Sequence, residues 1–112
     1  MRSTQVRLGD IAEAIAGIQA TLTDVSFDDF QHSWAFQRAV ERGLEIISEA
    51  SRGLADTDKV AHPSVPWNDI AGLGNILRHE YHRVEPLIIW NITVEHLPAL
   101  ARAVEALLSD RL

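Results

Sequence analysis

Two histidines and two arginines lie close together between positions 78 and 83, and an asparagine precedes them. Asn75, His79 and Arg83 are spaced four residues apart, as are Arg78 and His82, so a helix would place all five side chains on one broad face. Histidine can act as general base or acid near neutral pH, and arginine can bind a phosphate through two parallel hydrogen bonds. Such groups can cleave RNA without a metal ion, because a base takes the proton of a ribose 2′-OH while a cation stabilises the growing charge on the phosphate.

Two other interpretations of this segment stay open. Polar residues opposite an apolar stripe usually form only the solvated face of a helix. His79 and His82 are also spaced to share a metal ion, but no third ligand can be identified, so neither a metal nor another cofactor is expected. The tryptophans Trp34, Trp67 and Trp90 are expected to anchor the core or an interface rather than to stack on nucleic-acid bases.

The composition limits the partners of the chain. Ten Lys and Arg against sixteen Asp and Glu give the 112 residues a net charge of −6. A diffuse basic surface is therefore not expected, so neither DNA nor a membrane is expected as a partner, and RNA must be bound at a small local site. The absence of cysteine excludes disulfides and thiolate chemistry. No apolar run approaches the roughly 18 residues of a membrane span, so we expect one cytoplasmic domain over residues 1–112.

The elements that position the polar segment follow from hydrophobic periodicity. A first helix is predicted from an apolar stripe with spacings of three and four, at Leu8, Ile11, Ile15, Ile18 and Leu22. Ser26 can cap a second helix, which is predicted to run to about Ser51. The apolar face of this second helix is wide enough to contact two neighbours.

Prolines and glycines divide the second half of the chain. Residues 54–66 show little periodicity and are predicted to form the longest loop. A third amphipathic helix follows, with an apolar stripe from Trp67 to Val84, and it carries the polar segment.

A last helix is predicted from roughly Leu87 to Leu108. Pro98 lies inside it and removes one backbone hydrogen bond, so a kink or a split is expected near Leu97. No alternating strand pattern occurs in the sequence. The predicted fold is therefore an all-α, up-and-down bundle of four to five helices.

The segment Gly74–Tyr81 reads Gly-Asn-Ile-Leu-Arg-His-Glu-Tyr and resembles the Arg-x4–6-His-x-Tyr signature of HepT-like toxins in the HEPN superfamily. Residues 40–50 resemble the long second helix of this family, and residues 66–73 resemble its lead-in to the motif helix. Asp10 onward and the stretch 97–100 also fit, so the resemblance covers nearly the whole chain.

The resemblance implies an HEPN-like homodimer in which the two motif helices meet near the two-fold axis. It also implies a metal-independent ribonuclease toxin, which a small nucleotidyltransferase antitoxin neutralises by transferring AMP to a tyrosine. Position by position, His79 matches the catalytic histidine, Tyr81 the AMP-accepting tyrosine, and Asn75 the polar residue that follows the family arginine.

One position departs from the family pattern, because Gly74 stands where the family has arginine. Arg78 lies one turn further along the same helix face and is the candidate replacement as phosphate clamp, with Arg83 and His82 as further phosphate contacts. The leading hypothesis is an endoribonuclease in which His79 acts as base or acid and Asn75 orients the substrate. The alternative is a weak or inactive dimeric partner of the nucleotidyltransferase, since glycine supplies no charge.

Overall fold

The computed structural model describes residues 3–80 and 84–111 of the chain, and this part is helical. The helices are α1 (Thr4–Thr21), α2 (Phe27–Gln31), α3 (Trp34–Arg52), α4 (Asp56–Val60), α5 (Trp67–His79), α6 (Pro86–Asn91) and α7 (Leu97–Ser109). A π-helical segment, Ile92–His96, joins α6 to α7. No strand occurs among these described residues, so the predicted all-α class is confirmed.

Serine side chains begin three of the helices. Ser3, Ser26 and Ser33 each accept a hydrogen bond from the backbone N–H three residues later. Asp29 returns a contact to the Ser26 N–H, which completes a capping box at the start of α2. These caps satisfy amides that a helix start leaves without a partner.

Helix α3 is the central element of the bundle. It packs against α1 on one side and α5 on the other, and α7 covers α1. The predicted stripe of α1 is buried in the core except for Leu22, which caps the helix and is half-buried. Residues of α3, α5 and α7 are buried with it, among them Val40, Leu44, Leu77 and Val104. The prediction that the second long helix contacts two neighbours is confirmed.

The prediction of a single helix from Ser26 to Ser51 is wrong, because the helix is interrupted at residues 32 and 33. Ser33 caps a new helix at that point. Gln37 Nε2 donates to the carbonyls of Phe30 and Gln31, at 3.1 Å each. These bonds satisfy carbonyls at the end of α2, so the break leaves few backbone groups without a partner.

The loop predicted over residues 54–66 also contains the short helix α4. Trp67 Nε1 donates to the carbonyls of Lys59 and His62, and Arg111 near the C-terminus lies 2.7 Å from Asp58. The Arg111–Asp58 contact joins residues that are 53 positions apart, so hydrophobic periodicity could not reveal it.

Two further boundaries concern the helices around the polar segment. Helix α5 ends at His79, whereas the periodicity predicted its continuation to Val84. Glu85 is extended, as a residue before proline usually is, and Pro86 begins α6. The predicted kink or split near Leu97 is confirmed, since the π-helical segment ends directly before Leu97 and Pro98 lies in the first turn of α7.

Candidate functional site

Helix α5 carries the described part of the polar segment and is fixed to the bundle by one face. Trp67, Gly74 and Leu77 are its buried residues. The hydrogen bonds of the Trp67 indole hold the start of the helix, while the other end stops at His79. Functional side chains at the end of α5 therefore lie on a short helix whose axis is set by its packing on α3.

Helix α5 approaches α3 closely at Gly74. The Ser48 hydroxyl accepts a hydrogen bond from the Gly74 N–H at 3.0 Å and donates to the Ala71 carbonyl at 2.9 Å. Arg52 Nε also donates to the Ala71 carbonyl, at 2.9 Å. A Cβ at position 74 would lie 2.9 Å from the Ser48 hydroxyl oxygen and 3.1 Å from its Cβ, so this packing requires glycine.

The guanidinium of Arg78 returns along α5 toward Gly74. Its Nη1 would lie 3.2 Å from a Cβ at position 74. The family pattern has an arginine at position 74. In this chain the guanidinium of Arg78, one helical turn further along α5, lies beside that position.

Arg78 also lines an open pocket of about 340 Å³ between α1, α3 and α5, which we name the arginine pocket. Three arginines and three carboxylates line it: Arg7, Arg42, Arg78, Asp10, Glu45 and Glu49. Arg42 Nη1 lies 3.3 Å from Glu45 Oε2. The charges of the pocket are therefore balanced, and it does not form the strongly positive patch that the residue types of α5 alone indicate.

Asn75 and His79 lie on the solvent side of α5. Both side chains are exposed, and they are not among the residues that line the arginine pocket. They are four residues apart and so share one ridge of the helix. The structure thus brings Asn75 and His79 to one ridge and turns the Arg78 guanidinium toward α3.

An apolar groove of about 630 Å³ borders the other flank of this ridge, between α5 and the α6–π segment. Its lining includes Gly72, Leu73, Ile76, Ile88 and Ile92. Ile76 and Ile88 remain 41% and 50% exposed. A Cβ on Gly72 would meet no atom within 4 Å, so nothing in the described residues of this chain explains a glycine there.

A second cluster lies on α3 and was not predicted from the sequence. Arg38 forms an ion pair with Glu41, with Nε–Oε1 at 2.9 Å and an Nη2–Oε2 hydrogen bond of 3.0 Å. The Arg38 guanidinium also lies 5.7 Å from the centroid of the Trp34 ring. Glu41 is only 9% exposed, and this burial raises the pKa of its carboxyl group against the opposing effect of Arg38.

The tryptophans have different environments. Trp67 is buried, and the half-buried Trp90 packs against Phe27 and Phe30 with ring centroids 5.8 and 5.4 Å apart, as expected for core anchors. Trp34 is 72% exposed, so the core position is wrong for it, and the interface position that the sequence also allows stays a prediction. The remaining predicted site residues, Tyr81, His82 and Arg83, lie outside the described residues.

Within residues 3–80 and 84–111, no three His, Cys, Asp or Glu side chains are grouped closely enough to hold a metal ion. In the same part of the chain, no helix has both the length and the apolar character that crossing a bilayer requires.

Comparison with known proteins finds a matching family and relatives that are all named as ribonucleases. The family model "Ribonuclease HepT-like" matches residues 11–107. The chain is 38% identical over 106 residues to "Probable ribonuclease HepT" of Thermococcus cleftensis, an alignment that covers 95% of this chain and 96% of the relative. It is 34% identical over 104 residues to "Putative RNase MJ1380" of Methanocaldococcus jannaschii, covering 93% and 95% of the two chains. No solved structure matches the chain significantly. The chain therefore belongs to the ribonuclease HepT-like family.

Proposed function

We propose that this protein is a metal-independent endoribonuclease toxin and that Arg78 takes the part of the family arginine missing at position 74. The supporting observation is that the Arg78 side chain folds back toward Gly74, so that its Nη1 would lie 3.2 Å from a Cβ placed at position 74. RNA is the substrate class that family membership supports.

The reaction is an internal phosphoryl transfer. A base removes the proton of a ribose 2′-OH, the 2′ oxygen bonds to the adjacent phosphorus, and the bond from phosphorus to the 5′ oxygen breaks. An acid returns a proton to the 5′ oxygen, so the products end in a 2′,3′-cyclic phosphate and a 5′-OH. His79 provides the base or the acid, Arg78 stabilises the phosphate charge, and Asn75 orients the substrate.

The second acid–base group comes from another copy of the chain. A two-fold dimer with α5 near its axis would bring two His79 side chains into one cleft, one as base and one as acid. The apolar groove beside the His79 ridge supports this arrangement, since Ile76 and Ile88 expose surface that a partner helix would bury. Ile88→Glu is expected to yield monomers in sedimentation experiments and to abolish cleavage, although His79 and Arg78 are unchanged. A monomeric wild-type protein that cleaves RNA would refute the composite site.

The catalytic roles are tested by RNA cleavage in EDTA with wild-type protein and three variants. His79→Ala is expected to lower the rate by about 10²–10⁴-fold, the usual contribution of a general acid or base. Arg78→Ala is expected to lower it by about 10²–10³-fold through loss of charge stabilisation. Arg102→Ala removes an exposed arginine of α7 and is the matched control, which should retain full activity. Equal rates for wild type and His79→Ala would remove His79 from the mechanism.

Regulation by a nucleotidyltransferase antitoxin completes the proposal, with Tyr81 as the AMP acceptor. Incubation with the transferase and ATP should add AMP to the wild-type protein and not to Tyr81→Phe, as measured by intact mass. Adducts that persist in Tyr81→Phe would exclude this acceptor.

The alternative function is a non-catalytic partner of that transferase. The balanced charge of the arginine pocket favours it, because three carboxylates offset the charges of Arg78 and its neighbours. This alternative predicts AMP addition without RNA cleavage by the purified wild-type protein.

A further inference from the structure

The Trp34–Arg38–Glu41 cluster on α3 has no part in the chemistry described above. Trp34 is 72% exposed, although exposure of a large aromatic ring to water is unfavourable. The ring is held in place, because Arg38 lies against it and is itself fixed by two contacts to the buried Glu41. An ordered and exposed aromatic surface of this kind is suited to a flat ligand.

The cluster lies on the side of α3 that faces helix α5. Trp34, Glu41 and Ser48 are spaced seven residues apart, so they follow one line along α3 with a drift of only about 20° per seven residues. Ser48 contacts α5 directly, through its hydrogen bonds to Gly74 and Ala71. Trp34 therefore lies on the continuation of the α3–α5 seam.

The two helices run in opposite directions, which sets the distance from Trp34 to the catalytic end of α5. Arg52 contacts Ala71, Ser48 contacts both Ala71 and Gly74, and residues from Glu49 to Arg42 border Arg78. With Ser48 level with Gly74, His79 is level with residue 43. Trp34 then lies roughly 14 Å further along the axis, at 1.5 Å per residue. A few nucleotides of single-stranded RNA span such a distance.

We propose that Trp34 is a stacking site for an RNA base a few nucleotides from the scissile phosphate. Because the inference rests on the proposed ribonuclease function, RNA is the ligand that reaches this seam. Arg38 and the exposed Arg42 lie along the seam between Trp34 and Arg78, and they supply cationic groups for the intervening phosphates. Aromatic stacking tolerates every base, so the site contributes affinity for single strands rather than sequence selection.

Binding is tested without cleavage, using fluorescein-labelled 2′-O-methyl hexaadenylate, which lacks the free 2′-OH that the reaction needs. Trp34→Ala is expected to raise Kd in fluorescence anisotropy by about 5- to 150-fold, the range for loss of one stacked base. Trp34→Phe keeps an aromatic face and should stay within about threefold of wild type. Val60→Ala, which alters an equally exposed apolar residue on α4, should leave Kd unchanged.

Cleavage kinetics separate this inference from the proposed function. Trp34→Ala should raise KM for a hexanucleotide RNA and leave cleavage of a dinucleotide unchanged, since a dinucleotide cannot reach Trp34. A wild-type protein that does not cleave RNA would refute the proposed function. A wild-type protein that cleaves RNA while Trp34→Ala binds and cleaves the hexanucleotide normally would refute the stacking site alone.

Two other results would also overturn the stacking site. One is a wild-type protein that fails to bind the hexaadenylate. The other is a Trp34→Ala protein that dissociates in sedimentation experiments but binds the hexaadenylate with the Kd of the wild type. That result would make Trp34 a contact between protein chains.

Discussion

Replacement of Gly74 by alanine is a direct test of the packing that determines the position of Arg78. Intrinsic helix propensity alone predicts that alanine would stabilise α5, by about 1 kcal/mol relative to glycine. The structure predicts the opposite sign, because the new Cβ would lie 2.9 Å from the Ser48 hydroxyl oxygen. Ser48 is only 1% exposed and cannot turn away without breaking its hydrogen bonds to Ala71 and Gly74.

The size of the effect follows from three contributions. Overpacking of a close contact costs about 1–3 kcal/mol. Loss or distortion of the two Ser48 hydrogen bonds adds about 0.5–1.5 kcal/mol each, and the gain in helix propensity offsets about 1 kcal/mol. We therefore expect Gly74→Ala to lower the free energy of unfolding by about 1–5 kcal/mol, which corresponds to a fall in Tm of about 5–25 °C in a domain of this size.

Urea and thermal unfolding followed by circular dichroism measure this change, with protein concentration held constant because oligomerisation alters apparent stability. Gly17→Ala is the matched control, since a Cβ on this α1 glycine would meet no atom within 4 Å, and it should be neutral or stabilising. In a Ser48→Ala background, Gly74→Ala should cost less, with a coupling energy of about 0.5–3 kcal/mol. A Gly74→Ala protein as stable as Gly17→Ala would refute the reasoning.

Three further predictions concern stability and assembly. Because burial raises the pKa of Glu41, the folded chain binds that proton more tightly than the unfolded chain, and stability falls as pH rises from about 4.5 through the raised pKa. Glu41→Gln should reduce this slope in urea unfolding at a series of pH values, and parallel curves for the two proteins would contradict it. Arg111→Ala should lower the free energy of unfolding by up to about 1 kcal/mol by removing the contact with Asp58, and adding Asp58→Ala should cost little more. Gly72→Ala should weaken the proposed dimer in sedimentation experiments without destabilising the monomer, whereas an unchanged state of association would place the proposed contact elsewhere.

The parts of the fold that depend on neighbours in sequence were predictable. The α1 stripe, the Ser26 cap and the irregularity before Pro98 all follow from local rules of spacing, capping and backbone hydrogen bonding. The break before Ser33 was missed because the apolar pattern continues across it, and the hydrogen bonds of the Gln37 side chain help to compensate the carbonyls that it exposes.

The sequence by itself determined an all-α chain and placed His79, Arg78 and Asn75 on one helix, because helical periodicity is a property of nearby residues. Only the tertiary structure decided where those side chains lie. Ser48 and Gly74 are 26 positions apart, and their contact sets α5 against α3 and leaves the Arg78 guanidinium beside a glycine. Tertiary packing also determines the exposure of Trp34. Burial of a side chain depends on which helix surfaces pack together, and the apolar stripe of one helix does not specify the helix that packs on it.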